Sequence, residues 1–243
     1  MDSYNPYNFN EPARTAIQAE TQASMEAYVG SVMRRVYLKM FVGLLITAFT
    51  SVFILSNTTV LSFMFAHPMT YLGLAVAELA LVFVISGMVN RLSTTTATLL
   101  FFLYSVLNGV SLTPIFLFYT QSSIALTFFI TAGTFGAMSL FGYFTKQDLS
   151  KMGGILMMAL IGLIICLVVN IFLKSSMMDW IISIAGVAIF VGLTAWDTQD
   201  IKRMAMMTDQ QYVGKVATIG ALSLYLDFIN LFIYLLRIFG SRD

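Results

Sequence analysis

"LSLYLDFINLFIYLLRIFG", residues 222–240, is long and apolar enough to cross a bilayer as one helix, yet it carries Asp227 in its interior. A carboxylate in hydrocarbon must be paired, protonated or reached by water, because a lone charge there costs about 2.5–3.5 kcal/mol even on a lenient insertion scale. The polar residues around it are ordered. Ser223, Asp227, Asn230 and Tyr234 recur at steps of four, three and four, which on a helix makes one stripe. Leu222, Leu224, Leu226, Phe228, Leu231 and Phe232 supply apolar faces around it. The pattern predicts a helix at the centre of a bundle, its stripe turned to a cavity or polar core. Interhelical glue needs only Ser and Asn, so the aspartate points to more than packing.

The rest of the chain supplies such a bundle. Hydrophobic residues make up 58% of 243 and charged residues 10%, whereas soluble domains carry about 25% charged residues. Apolar runs fall at about 36–56, 70–90, 97–119, 123–145, 152–174, 178–199 and 217–238, which predicts an all-α membrane protein of seven transmembrane helices. Continuous apolar runs without strict alternation exclude a barrel. "SNTT" and "HPMT" read as the turn of the first hairpin, and "NRLSTTT", "TQSS" and "TKQDLSKMGG" as later turns. Pro114 in "NGVSLTPIF" predicts a kink in the third span, with Gly109 and Ser111 offering close packing beside it.

Residues 1–30 are polar and lack a basic start followed by an apolar region, so no signal peptide is read there. They are expected to be a cytoplasmic tail, disordered over 1–20 and amphipathic over 21–35, ahead of a transmembrane domain at 31–243. Net charge is +1 with no large basic cluster, which excludes nucleic acid as a partner. Cys166 is the single cysteine, expected in buried packing, and rules out an intrachain disulfide. His67 reads as a turn residue, and methionines such as Met157 and Met158 as adaptable packing. Ten of the lysines and arginines (Arg14, Arg34, Arg35, Lys39, Arg91, Lys146, Lys151, Lys202, Arg203 and Lys215) fall on one side of the spans; Lys174, Arg237 and Arg242 fall on the other. That bias puts the N-terminus in the cytoplasm and the C-terminus outside.

Within the spans, Glu78 lies mid-way along the second, Arg91 closes it, Asp197 in "GLTAWDTQD" lies near the cytoplasmic end of the sixth, and Asp227 lies in the seventh. The sixth and seventh spans are joined by one loop, so the two aspartates are placed to meet. Two carboxylates in one site do not both ionise easily, and the pair then holds a proton as a pH-sensitive latch. Arg91 is a candidate cation to bridge the ionised form.

The stretch "ALSLYLDFINLFIYLLRIFG" resembles the signature of the transmembrane Bax inhibitor motif (Bax inhibitor-1) family, supported more loosely by "AVAELAL", "NGVSLTPIF", "TKQDLSKMGGIL" and "GLTAWDTQDIK". The resemblance implies seven helices with the last enclosed by the other six, and a pH-sensitive calcium leak. It implies Asp197 and Asp227 as the proton-sensing pair, Arg91 as their latch and Glu78 as a pore residue; the polar stripe of the seventh helix adds Ser223, Asn230 and Tyr234 as candidates for the ion pathway. It also implies a bacterial inner-membrane protein with no cofactor, whose partners are the lipid bilayer, protons and calcium ions, the last held transiently by Asp197 and Asp227. A non-conducting regulator that binds other membrane proteins, "YNPYN" serving as a docking segment, is the alternative. An intramembrane aspartyl protease would also place aspartates on the sixth and seventh spans. Asp227 sits in "LYLDF" without the glycine-flanked "GxGD" setting or a following "PAL", so an enzyme is not expected. No lysine in the seventh helix is available for a retinal Schiff base.

Overall fold

The computed structural model describes residues 11–67, 69–89 and 91–241; "YNPYN" and Arg242 lie outside them. The chain runs through α1 (Glu11–Ser56), α2 (Thr58–Ala66), α3 (Met69–Gly87), α4 (Thr94–Leu112), α5 (Ile115–Phe118), α6 (Gln121–Phe144), α7 (Ser150–Leu173), α8 (Ser176–Met207) and α9 (Val213–Phe239). Seven segments are long and apolar enough to cross a membrane, α4 and α5 together forming the third. The protein is a multi-pass membrane protein.

Helix starts follow capping chemistry. The side chains of Asn57, Ser93, Thr120 and Ser175 accept hydrogen bonds from the backbone N–H groups of Val60, Thr96, Ser123 and Met178, satisfying donors that have no partner inside the helix. The third span breaks at Thr113–Pro114 as its sequence predicts, since Pro114 has no N–H to continue the ladder. After α7, Lys174 adopts a left-handed φ of 50°, and the Asn170 amide holds the turn by donating to the Ser175 carbonyl and to Asp179 at 2.6 Å.

Four expectations are corrected. Residues 11–20, expected as disordered, are helical and run into the helix expected over 21–35, because "EPARTAIQAETQASMEAYVG" is rich in Ala, Gln and Glu, with Pro12 in the first turn where its missing N–H costs nothing; residues 1–10 lie outside the described residues. The first hairpin is closed by the nine-residue helix α2 instead of by turns alone, with His67 at its end, stacked on Phe63 at 4.5 Å. Helix α8 runs past residue 199 to Met207, so Asp197 is about 15 Å from its end. Cys166, Met157 and Met158 are exposed on the outer helix α7, where lipid covers apolar side chains as a protein core would.

Helix α9 is the centre. In its most apolar stretch 67% of residues are buried, against 6% for the span of α3. It packs principally against α1, α4, α6 and α8, while α3 lies on α4 and α7 on α8. Of the six other spans, four therefore pack closely on α9, while the other two pack mainly on α4 and α8. Small residues set the closest approaches. A Cβ on Gly109 would stand 2.6 Å from the Thr47 carbonyl, and one on Gly142 would enter the Ala195 carbonyl. Hydroxyls reinforce the α1/α4 crossing: Thr47 donates to the Ser105 carbonyl at 2.9 Å and Ser51 to the Gly109 carbonyl at 2.6 Å.

On the amino-terminal face, the α6–α7 loop is clipped to α8. Arg203 donates to Asp148 at 3.0 Å, and Gln199 bonds the Leu149 N–H and the Gln147 carbonyl. The Ser150 hydroxyl and backbone N–H, with Arg203 adding to them, hold the Asp148 carboxyl below the ordinary aspartate value of 3.8. A depressed value means the carboxylate clip is complete above that ordinary value and is lost as pH falls through the folded one. A spin label at Gln147 is expected to gain mobility on acidification in wild type. In Asp148→Asn the label is mobile throughout and that acid step disappears.

Candidate functional site

Two polar clusters flank α9. On its α8 side, Asp227 stands beside Asp197, so two carboxyl groups from neighbouring spans are close neighbours. Asp227 is 3% exposed, Asp197 is half-buried, and Asp200 is a like-charge neighbour of Asp197. Asp227 Oδ2 is buried and receives no hydrogen bond from an N–H or hydroxyl group among the described residues. An ionised carboxylate only accepts, so two carboxyls hydrogen-bond one another only when one of them is protonated.

On the α1/α4 side, Tyr225 is fully buried and links three helices. Its hydroxyl lies 2.6 Å from the Thr47 hydroxyl and donates to Asn108 Oδ1 at 3.1 Å. Ser111, one turn from Asn108 on α4, donates to Glu78 of α3 at 2.6 Å. The Tyr225 ring is fixed by edge contacts to Phe101 and Tyr104, with centroids 5.6 and 5.7 Å away. Nearer the amino-terminal face, Lys39 lies inside the bundle and donates to Thr98 at 2.8 Å and Thr218 at 2.7 Å.

The structure thus brings together Asp197 with Asp227, and Glu78 with α4. It does not bring Arg91 to the pair. Arg91 is exposed in the turn after α3 and forms no ion pair among the described residues. Along the α9 stripe Ser223 and Asn230 are half-buried, and the Asn230 amide donates to the Leu226 carbonyl at 2.8 Å. Tyr234 is buried against Phe190, ring centroids 5.9 Å apart, with the Arg237 guanidinium 5.6 Å from its ring. Tyr225, Asn108, Thr47 and Lys39 were not singled out by the sequence. Tyr225 is two residues from Asp227, about 200° around the helix, so it falls off the stripe. A signal was present in Asn108 and Ser111, two polar residues one turn apart within a span.

Tyr225→Phe removes the donor to Asn108 and leaves that amide oxygen buried with one partner fewer. The expected loss is about 1–3 kcal/mol, read as a lower melting temperature in detergent.

A buried central helix carrying one of two touching aspartates, inside six further spans, defines a polytopic helical membrane protein with an ionisable core. The chain belongs to the Bax inhibitor-1 family: the family model described as "Inhibitor of apoptosis-promoting Bax1" matches residues 29–243. It is 48% identical over 226 residues to the "Inner membrane protein YbhL" of Escherichia coli, covering 92% of this chain and 95% of that one. It is also 46% identical to an uncharacterised protein of Borreliella burgdorferi, covering 91% of this chain and 97% of that one. A further uncharacterised relative, from Rickettsia prowazekii, is 44% identical with 86% and 89% covered.

Proposed function

We propose that the protein is a calcium-permeable leak channel gated by protons, with Asp197 and Asp227 as the sensor. The observation that carries this reading is the juxtaposition of the two carboxyl groups, with Asp227 buried in the core and its Oδ2 receiving no N–H or hydroxyl donor among the described residues. While the pair shares a proton, the contact ties α8 to the central helix. Once that proton leaves, two like charges stand within hydrogen-bond reach where water is scarce, and they must separate or take up a cation. Carboxylate oxygens are hard ligands suited to calcium, and calcium itself is named from the family resemblance. Arg91 is assigned as the cation that meets the ionised pair after rearrangement. Glu78, Ser223, Asn230 and Tyr234 are assigned to the ion pathway.

A cavity of about 750 Å³, lined by both polar and apolar side chains, opens on the carboxy-terminal face. Its α9 lining, Ile233, Leu236 and Arg237, lies one to three turns beyond Asp227, which is not part of that lining. This conformation supports a closed state in which the cavity stops short of the pair. The role is conduction and not hydrolysis, since no glycine beside Asp227 would admit a peptide backbone. The excess of Lys and Arg on the amino-terminal face supports a cytoplasmic location for that face, and the naming of the Escherichia coli relative supports a bacterial inner membrane.

The test is calcium influx into dye-loaded liposomes carrying the purified protein, followed from acidic to alkaline pH. A flux that depends on pH is expected. Absence of flux at every pH from protein shown to be folded would overturn the channel. It would favour the regulatory role, with the aspartate pair as interhelical glue.

A further inference from the structure

The inner ring around α9 has a seam. Helices α1 and α6 both pack on α9, yet grooves separate them from one another in both halves of the bundle. In the half nearer the carboxy-terminal face the groove is about 550 Å³ and almost wholly apolar, walled by Leu44 and Val52 of α1, Ala125 and Phe128 of α6, and Phe228 and Phe232 of α9. Its neighbour is the cavity of about 750 Å³ on the carboxy-terminal face, and Ile115 lines both. In that cavity Asp179 and Arg237 face one space without pairing with each other, and Trp180 and Ser176 stand beside them.

We infer that these two adjoining cavities form one site for a phospholipid with a zwitterionic, phosphoethanolamine-type headgroup. Each half of the site fits one half of such a molecule. Arg237 offers a planar fork of donors to the phosphate, and the Asp179 carboxylate, held in place by Asn170 at 2.6 Å, accepts from the ammonium. Trp180 sits where tryptophans lie in membrane proteins, at the level of the headgroups. An acyl chain passing Ile115 enters the apolar groove and lies on Phe228 and Phe232 of the central helix. Charge complementarity selects the headgroup: an anionic lipid leaves Asp179 opposed to a like charge, and a bare hydrocarbon leaves both charges unused. The site does not depend on whether the protein conducts ions.

The experiment is native mass spectrometry of the full chain, delipidated in detergent and titrated with phosphatidylethanolamine, phosphatidylglycerol or free glycerophosphoethanolamine. One phosphatidylethanolamine per chain is expected, bound about tenfold more tightly than phosphatidylglycerol, the factor that one charge-assisted contact supplies. Asp179→Asn should erase that preference while leaving phosphatidylglycerol binding no weaker. Arg237→Gln should weaken both lipids, and Ala125→Phe, which fills the groove without touching a charge, should weaken both as well. Circular dichroism melting confirms that each variant is folded. Equal binding of both lipids by wild type, or a preference untouched by Asp179→Asn, would overturn the headgroup assignment. Glycerophosphoethanolamine binding as tightly as the intact lipid would overturn the acyl groove.

Discussion

Asp227→Asn, reconstituted beside wild type, shows calcium flux at one low level across the pH range over which wild-type flux changes. Asparagine keeps the shape of aspartic acid, and its amide donates permanently to Asp197, so the tie between α8 and α9 is frozen in the form that the shared proton gives it. With no proton to lose at position 227, rising pH cannot put two like charges side by side. Coupling between a site and a conformational equilibrium is typically worth a factor of roughly 5–150, and that is the range of wild-type response the substitution removes. Asp197→Asn is expected to act in the same way, because either partner can supply the permanent donor. Asp200→Asn, which removes only a neighbouring like charge, keeps a pH-dependent response. A full pH response from both Asp227→Asn and Asp197→Asn would remove the pair from gating altogether.

The second large effect is structural and concerns the helix that presents Asp197. Gly142 of α6 lies against the backbone of Ala195, so the first atom of any side chain there meets a carbonyl that cannot rotate away. Gly142→Val is expected to push α6 from α8 at a cost of about 1–3 kcal/mol or more, the range of overpacked cores. At roughly 2–4 °C per kcal/mol for a chain of this size, the loss is readable as a melting shift in detergent. Gly136→Val is the internal control. It lies on the same helix, nothing stands within 4 Å of its added Cβ, and its melting temperature is expected to stay with wild type. Because Ala195 is two residues from Asp197, the Gly142 contact also fixes where one member of the pair stands. Disturbed gating in Gly142→Val beside unchanged gating in Gly136→Val is the corresponding functional result.

Much of this was legible in the sequence because hydrocarbon imposes simple rules. Backbone groups in lipid must be satisfied within a helix, so apolar runs of the right length could only be spans. Pro114 could only interrupt the third of them. An aspartate in each of two consecutive spans had to find a partner, and the nearest was the other one. The same simplicity hides the rest. Lipid tails are as apolar as a protein core, so hydropathy does not tell Cys166 on an outer face from Leu224 on a buried one. Lys39 read as one more positive charge ahead of the first span until Thr98 and Thr218, from two other helices, were seen to receive it.

The amino-acid sequence by itself determined that this is a seven-span helical membrane protein, that its last span is the central one, and that Asp197 and Asp227 lie on neighbouring spans. Each of these follows from composition, length and helical period within a single segment. Only the tertiary structure decided that α1, α4, α6 and α8 pack most closely on the central helix, that Tyr225 links Thr47 to Asn108, and that Arg91 stands apart from the aspartates. These depend on how side chains from distant segments meet, and small residues such as Gly109 and Gly142, by letting backbones approach, choose which faces come together.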